Sequence, residues 1–253
     1  MVTQARARLG RKLESAVAAM PPARQVRFRL VLDVLEGLGV PDPVVLDAGC
    51  GDALLAEEMI RRHPAWRVVA VDSWAEGLQR ARERLAGTAA AEAVELLRHD
   101  LREPLPVAAV DAVVAVESLV EIEDDDLVIE HLAQALRPGG LFVAHVPEAG
   151  WQPVLPGSER TWRHQARQGY TVEQITSQLA RAGLTVRSVV GTSRGTVRVA
   201  QEIRDRIKGR SFRFQAPFVP LMALATWLER RGLTWGPPRA LLVVAVRESS
   251  DRH

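Results

Sequence analysis

Cysteine is almost missing from this chain: Cys50 stands alone, which excludes an internal disulfide and suits a reducing compartment. Lysine is scarce too, with Lys12 and Lys208 the only two among 33 basic residues, so nearly all the positive charge is arginine. Tyr170 is the one tyrosine. No apolar run reaches membrane-spanning length. The longest, Ala216 to Leu228, has thirteen residues and two prolines, whereas a span takes about 20. Residues 1–20 carry Arg6, Arg8, Arg11, Lys12 and Glu14 and lack the apolar stretch of a signal peptide. There is no internal repeat and no low-complexity segment. These absences lead us to expect a soluble, cytoplasmic globular protein.

What is present is enough for a full core. The 253 residues are 47% hydrophobic and 25% charged, which suits one large domain or one domain with a sizeable insertion. The net charge of +2 hides a division. Residues 41–150 hold 9 basic and 21 acidic residues, and residues 151–253 hold 17 basic and 7 acidic. A basic half favours anionic partners. Helix-spaced apolar positions place helices over 4–20 and 22–38, divided by Pro21-Pro22 and stopped by Gly37-Leu38-Gly39. Strands at 44–48, 67–71, 94–98, 111–116 and 141–146 then alternate with helices at 52–62, 74–86 and 126–136. A helix at 171–182, a strand at 184–190 and a last strand at 240–246 follow. Such alternation means α/β: a seven-stranded, mostly parallel sheet with helices on both faces, its last two strands an antiparallel pair at one edge. Residues 191–239 are too many for a structureless loop and read as two helices, about 195–208 and 217–231.

The most telling stretch is Val44-Val45-Leu46-Asp47-Ala48-Gly49-Cys50-Gly51-Asp52. A buried strand ends in an acid, and two glycines let the backbone turn sharply beside a ligand. A helix opening at Asp52 then offers free N–H groups. The next strand, Arg67 to Val71, ends in Asp72, placed to accept hydrogen bonds from a ribose diol. Dinucleotide-binding chains share that spacing. They want Gly or Ala three residues after the second glycine, however, and here that residue is Leu54.

Asp47-x-Gly49-x-Gly51 resembles motif I of the class I S-adenosyl-L-methionine (SAM) methyltransferases, with Ala53 where their third glycine is usual. Val110 to Glu117 resembles motif IV. Leu132-Ala-Gln-Ala-Leu-Arg-Pro-Gly-Gly-Leu141 is similar to the helix-to-strand turn of the small-molecule (type 11-like) branch. The resemblance covers roughly residues 40–190 and implies a Rossmann-like fold with an antiparallel edge strand and a helical insertion before the last strand. It divides the chain into an N-terminal helical lid (1–40), a SAM-binding core (41–190), a helical cap (191–239), and a last core strand with tail (240–253). It implies SAM as methyl donor and S-adenosyl-L-homocysteine as product. Gly49 and Gly51 then frame the methionine end, Asp72 the ribose, and Asp100 with Leu101 the adenine. Asp47, Cys50, Ser73 and Glu117 complete the cofactor set.

Methyl transfer from a sulfonium needs donor and acceptor held in line, and a base only when the acceptor must lose a proton. The candidate base is His145, at the end of the fifth strand. The acceptor is expected to be a small molecule, an anionic one fitting the basic half, methylated at oxygen in a specialised-metabolite or glycan pathway. Trp151, His164 and Tyr170 are candidate substrate contacts. Glu117 and Glu121 resemble part of a Glu-x-x-Glu-His metal set, but the second acid and the histidine are out of place, so no metal is expected. Glu123 to Asp126 reads as a solvated loop capping the next helix. The basic half leaves an RNA methyltransferase as a rival, although no RNA-binding module is recognisable and nucleic acid is not the expected partner. A non-catalytic SAM-binding partner subunit is the other rival. The chain is expected to act as a monomer or homodimer. The apolar residues 218–228 are expected to pack as part of the cap, with peripheral membrane contact as the competing explanation.

Overall fold

The computed structural model describes residues 22–158, 166–207, 210, 214 and 216–248. The helix expected over 4–20, together with Trp162, His164 and Lys208, lies outside them. The elements are α1 (Pro22–Glu36), β1 (Val44–Ala48), α2 (Leu54–Arg62), β2 (Arg67–Asp72), α3 (Ala75–Leu85), α4 (Ala90–Ala93), β3 (Val94–Arg98), β4 (Val110–Val116), α5 (Asp125–Ala135), β5 (Leu136–Pro147), α6 (Val172–Arg181), β6 (Leu184–Thr192), α7 (Gly195–Ile207), α8 (Val219–Arg230) and β7 (Ala240–Arg247). None of these helices is long and apolar enough to cross a membrane.

The chain divides into two compact units. The sheet unit holds residues 30–150, 166–190 and 240–248 of those described. Its seven strands run in the order β3-β2-β1-β4-β5-β7-β6. The first five are mutually parallel and β7 pairs antiparallel with β5. The antiparallel strand therefore sits one place in from the edge, with β6 outside it. Val45, Leu46, Val113, Val114, Phe142 and Val143 are wholly buried from both faces of the sheet. This is why these strands read as near-continuous apolar runs. Each such large side chain contributes about 1.5–3 kcal/mol.

Local chemistry explains the joints. Thr171 caps α6 by accepting from Gln174 N–H (3.1 Å), while the Gln174 side chain accepts from Thr171 N–H (2.9 Å), a reciprocal capping box. In the Arg137-Pro-Gly-Gly turn, Arg137 Nε donates to Asp111 (2.6 Å), whose other oxygen accepts from Val44 N–H (2.8 Å). One carboxylate thus ties the starts of β1, β4 and β5. A side chain at Gly140 would meet the Arg137 carbonyl at 2.8 Å. Strand β5 begins at Leu136, five residues before the sequence-based start, because the bend runs within the strand. The helix expected from Asp52 begins at Leu54, since Ala53 is left-handed (φ 56°) and cannot belong to it.

The second unit holds residues 22–29, 151–158, and those described between 191 and 239. Glu202 of α7 accepts from Val154 N–H (2.9 Å) and Leu155 N–H (2.8 Å) and so fixes that segment. Helices α7 and α8 lie where two helices were expected. The expectation that the apolar α8 packs away is met on one face only. Ala225 is buried, but Leu221, Leu224 and Trp227 stand about half exposed.

Candidate active site

Parallel strands bring their C-terminal ends to one edge, where open α/β sheets bind ligands, and the order reverses between β1 and β4. The glycine turn after β1 lies at this switch point. Gly49 N–H and Cys50 N–H both donate to the Val71 carbonyl (2.8 and 3.0 Å), which pins the turn to β2. Gly49 has φ 72°, and a Cβ on it would lie 2.2 Å from Ser118 Cβ. Ser118 fills that space from β4's end, its hydroxyl donating to the Ala48 carbonyl (2.8 Å). Gly51 is also left-handed (φ 60°), yet a Cβ there would meet nothing within 4 Å. One glycine serves packing and the other leaves open space.

Around this turn the charge is negative. Asp72 accepts from Gly51 N–H (2.7 Å) and Trp74 N–H (2.8 Å), one bond on each oxygen. Each oxygen keeps a lone pair for another donor. Asp47 is buried and one of its oxygens has no hydrogen-bond partner. Burial above all, with Asp72 adding to it, raises the Asp47 carboxyl to about 7, against a bond from the Ala56 backbone. Burial and the same two acids push the Cys50 thiol up, which keeps it protonated and unreactive. Ser73 is exposed beside Asp72.

Two expected adenine contacts are otherwise engaged. Arg102 grips Asp100 with Nε and Nη2 (2.6 Å at closest), and that bond holds the Asp100 carboxyl down at about 2. Leu101 packs into the core rather than forming an open wall.

At the ends of β4 and β5, Glu117 and His145 meet. The ladder sets Val116 beside His145, and Glu117, turned to φ 63°, donates its N–H to the His145 carbonyl (2.8 Å). His145 Nδ1 lies 2.8 Å from Glu117 Oε1. A carboxylate can only accept, so this bond puts the proton on Nδ1. His145 is buried and Glu117 partly buried. Glu117, first read as a cofactor residue, is the partner of the candidate base.

Tyr170 corrects the sequence reading. It is wholly buried, and its hydroxyl donates to Asp125 Oδ2 (2.6 Å) while Arg167 stacks 4.6 Å over the ring. It ties α5 to the segment before α6 and is not a substrate wall. Asp125 is likewise no solvated loop residue. It is buried and also accepts from Arg167 (3.1 Å) and Gln178 (3.1 Å). Trp151 is buried in the second unit under Arg239 (4.6 Å), and His164 lies outside the described residues. Sequence reasoning missed Ser118 and Gly77; a Cβ on Gly77 would strike the Trp74 ring at 2.2 Å. Only the spacing of Gly77 from Asp72 could have pointed to it. Among the described residues no group of three or more potential ligands could hold a metal.

A family model described as a methyltransferase domain matches residues 45–140. The chain is 34% identical over 122 residues to a trans-aconitate 2-methyltransferase of Azoarcus sp. (strain BH72), covering 48% of this chain and 46% of that protein. The chain spans about half the length of the curated relatives it matches. Its fold is like that of a putative sarcosine dimethylglycine methyltransferase from Galdieria sulphuraria, at TM-score 0.65 and 14% identity over 88% of this chain and 85% of that one. It is also like that of the [4+2]-cyclase SpnF, at TM-score 0.64 and 22% identity over 94% and 93%.

Proposed function

From a core, residues 45–140, that belongs to the class I SAM-dependent methyltransferases, we propose that this chain transfers the methyl group of SAM to an oxygen of a small organic anion. The observation that carries the reading is the acid-lined glycine turn. Open space over Gly51, an orphaned buried Asp47 oxygen and spare lone pairs on Asp72 fit a ligand with a cationic end and a ribose diol. Asp47 and Asp72 line the turn at Gly49 and Gly51, while Arg84 reaches only its Asp52 end, which supports a cationic ligand end there rather than a pyrophosphate. Asp47 and Gly51 would hold the methionine end and Asp72 the ribose. Asp100 would meet the adenine once shared with Arg102. When bound, SAM supplies an electrophilic methyl on a positively charged sulfur.

The chain's own task is then to orient the acceptor and take its proton. Glu117 accepts from Nδ1–H of His145 and so orients the imidazole that is to receive the proton of an acceptor hydroxyl. Glu117 also stabilises the imidazolium that results. An anionic acceptor is supported by the basic excess of residues 151–253 and by the relative named for trans-aconitate.

Calorimetry with SAM and S-adenosyl-L-homocysteine tests the cofactor. Saturable binding of both is expected, and Asp72→Ala should weaken it by about 1.5–3 kcal/mol, the worth of hydrogen bonds to a charged group. Unchanged affinity in that variant would remove the assignment. The [4+2]-cyclase has this fold too, and fold does not fix chemistry. Transfer is therefore scored by S-adenosyl-L-homocysteine formed on incubation with candidate organic acids and alcohols. With such an acceptor, His145→Gln should lower kcat by about 10²–10⁴ with SAM affinity intact, and EDTA should change nothing. Full kcat in that variant would exclude His145 as the base.

A further inference from the structure

Glu117 is strained: it is no glycine, yet its backbone is left-handed at φ 63°. Such a conformation persists only where the surroundings hold it. One hold is its own N–H, which donates to the His145 carbonyl (2.8 Å). The other comes three residues on, in the single helical turn Leu119–Glu121. There the Val120 carbonyl accepts from both Ala166 N–H (2.9 Å) and Arg167 N–H (3.3 Å).

The chain that supplies those donors also runs against the segment after His145. Tyr170 N–H donates to the Pro147 carbonyl (2.9 Å), and the Tyr170 carbonyl accepts from Ala149 N–H (3.1 Å). Gly169, at φ 138°, permits the close approach, since a Cβ there would lie 2.6 Å from the Pro147 carbonyl oxygen. Residues 166–170 therefore form a strap bonded to both loops that carry the Glu117–His145 pair. Side chains fasten it. The buried Tyr170 hydroxyl donates to Asp125 Oδ2 (2.6 Å), and Arg167 and Gln178 each donate to Oδ1 (3.1 Å). Asp125 opens α5 just beyond the Glu117 loop. A buried carboxylate with donors on both oxygens makes a rigid anchor.

We propose that Tyr170, acting through Asp125, is the positioning residue that holds Glu117 against His145. Without its hydroxyl the strap slackens on Val120, Glu117 relaxes from its left-handed conformation, and its carboxylate leaves Nδ1–H. Reacting geometry tolerates little of this, for a misplacement of about 1 Å can cost about 10²-fold in rate. Only the effect on turnover rests on His145 being the base.

The test is proton NMR of the full chain with isotopically labelled histidine. The His145 Nδ1–H resonance is identified by its loss in His145→Gln. Tyr170→Phe, which keeps the ring, should speed exchange of that proton with solvent tenfold or more, while SAM affinity stays within twofold and reports an intact fold. Asp111→Asn is the control, because it loosens the starts of β1, β4 and β5 and leaves the strap alone. It should leave the exchange rate unchanged. Should Tyr170→Phe fail to fold, Arg167→Gln, which keeps the Tyr170 bond and removes one donor to Asp125, should speed exchange threefold or more and decides. With an acceptor in hand, Tyr170→Phe should lower kcat tenfold or more with KM within twofold. Faster exchange with kcat unchanged would remove His145 as the base and leave the strap's role standing. Unchanged exchange in the strap variant, equal acceleration in Asp111→Asn, or no such resonance in wild type overturns the proposal.

Discussion

Between pH 5 and pH 8 the melting temperature of Asp47→Asn, measured without ligand, is expected to rise by about 5–10 °C relative to the unchanged protein, from roughly 2–4 °C per kcal/mol for a chain of this size. Asp47 is buried, lacks a partner for one oxygen, and has its carboxyl raised to about 7 from an ordinary 3.8. A folded state that holds its proton more tightly than the unfolded chain is stabilised at low pH. That stability is complete below pH 4 and drains away as pH rises to about 7. The two units from pH 5 to pH 7 amount to about 3 kcal/mol. Asparagine keeps the shape and never ionises, so its advantage grows across that window and then levels.

Binding should run the other way. A cation seated against Asp47 favours the carboxylate, so wild-type affinity for SAM should weaken as pH falls below 7. Asp47→Asn should bind poorly at every pH. The residue would then be kept for its ligand at the expense of the free protein. A melting difference independent of pH, or equal SAM affinities at pH 8, would show that Asp47 has no such role.

Much of this was legible because it is local. The strand ending in Asp47, the turn of Gly49 and Gly51, the acid closing β2, the Thr171 cap and the two helices of the insertion each rest on a few neighbouring residues. What escaped depends on register or on distant partners. Glu117 and His145 are 28 positions apart and meet because Val116 pairs with His145 across two parallel strands. Asp125 looked like one acid in a solvated run, and only the folded chain brings it Tyr170, Arg167 and Gln178. Helix α4 is a single turn without caps, below the reach of any periodicity. The apolar α8 was expected to pack away, but composition cannot say which face a helix shows to its neighbour.

The two glycines of the turn, alike in sequence, should fail differently when changed to alanine. At Gly49 the new Cβ would stand 2.2 Å from Ser118 Cβ, in a backbone conformation of φ 72°. The left-handed residue costs about 1–2 kcal/mol and the forced packing about 1–3. Gly49→Ala should therefore unfold at much lower denaturant. Ser118→Gly should restore part of the loss, and Ser118→Ala none, since the obstacle is the Cβ and not the hydroxyl. At Gly51 nothing lies within 4 Å, so the free protein should lose only the left-handed cost of about 1–2 kcal/mol. The open space beside the acid-lined turn is where the proposed ligand would lie. Gly51→Ala should thus stay folded and lose SAM affinity by tenfold or more, about 1.4 kcal/mol. Calorimetry on the folded Gly51→Ala protein decides the matter, because unchanged affinity there would place the ligand elsewhere on the sheet edge.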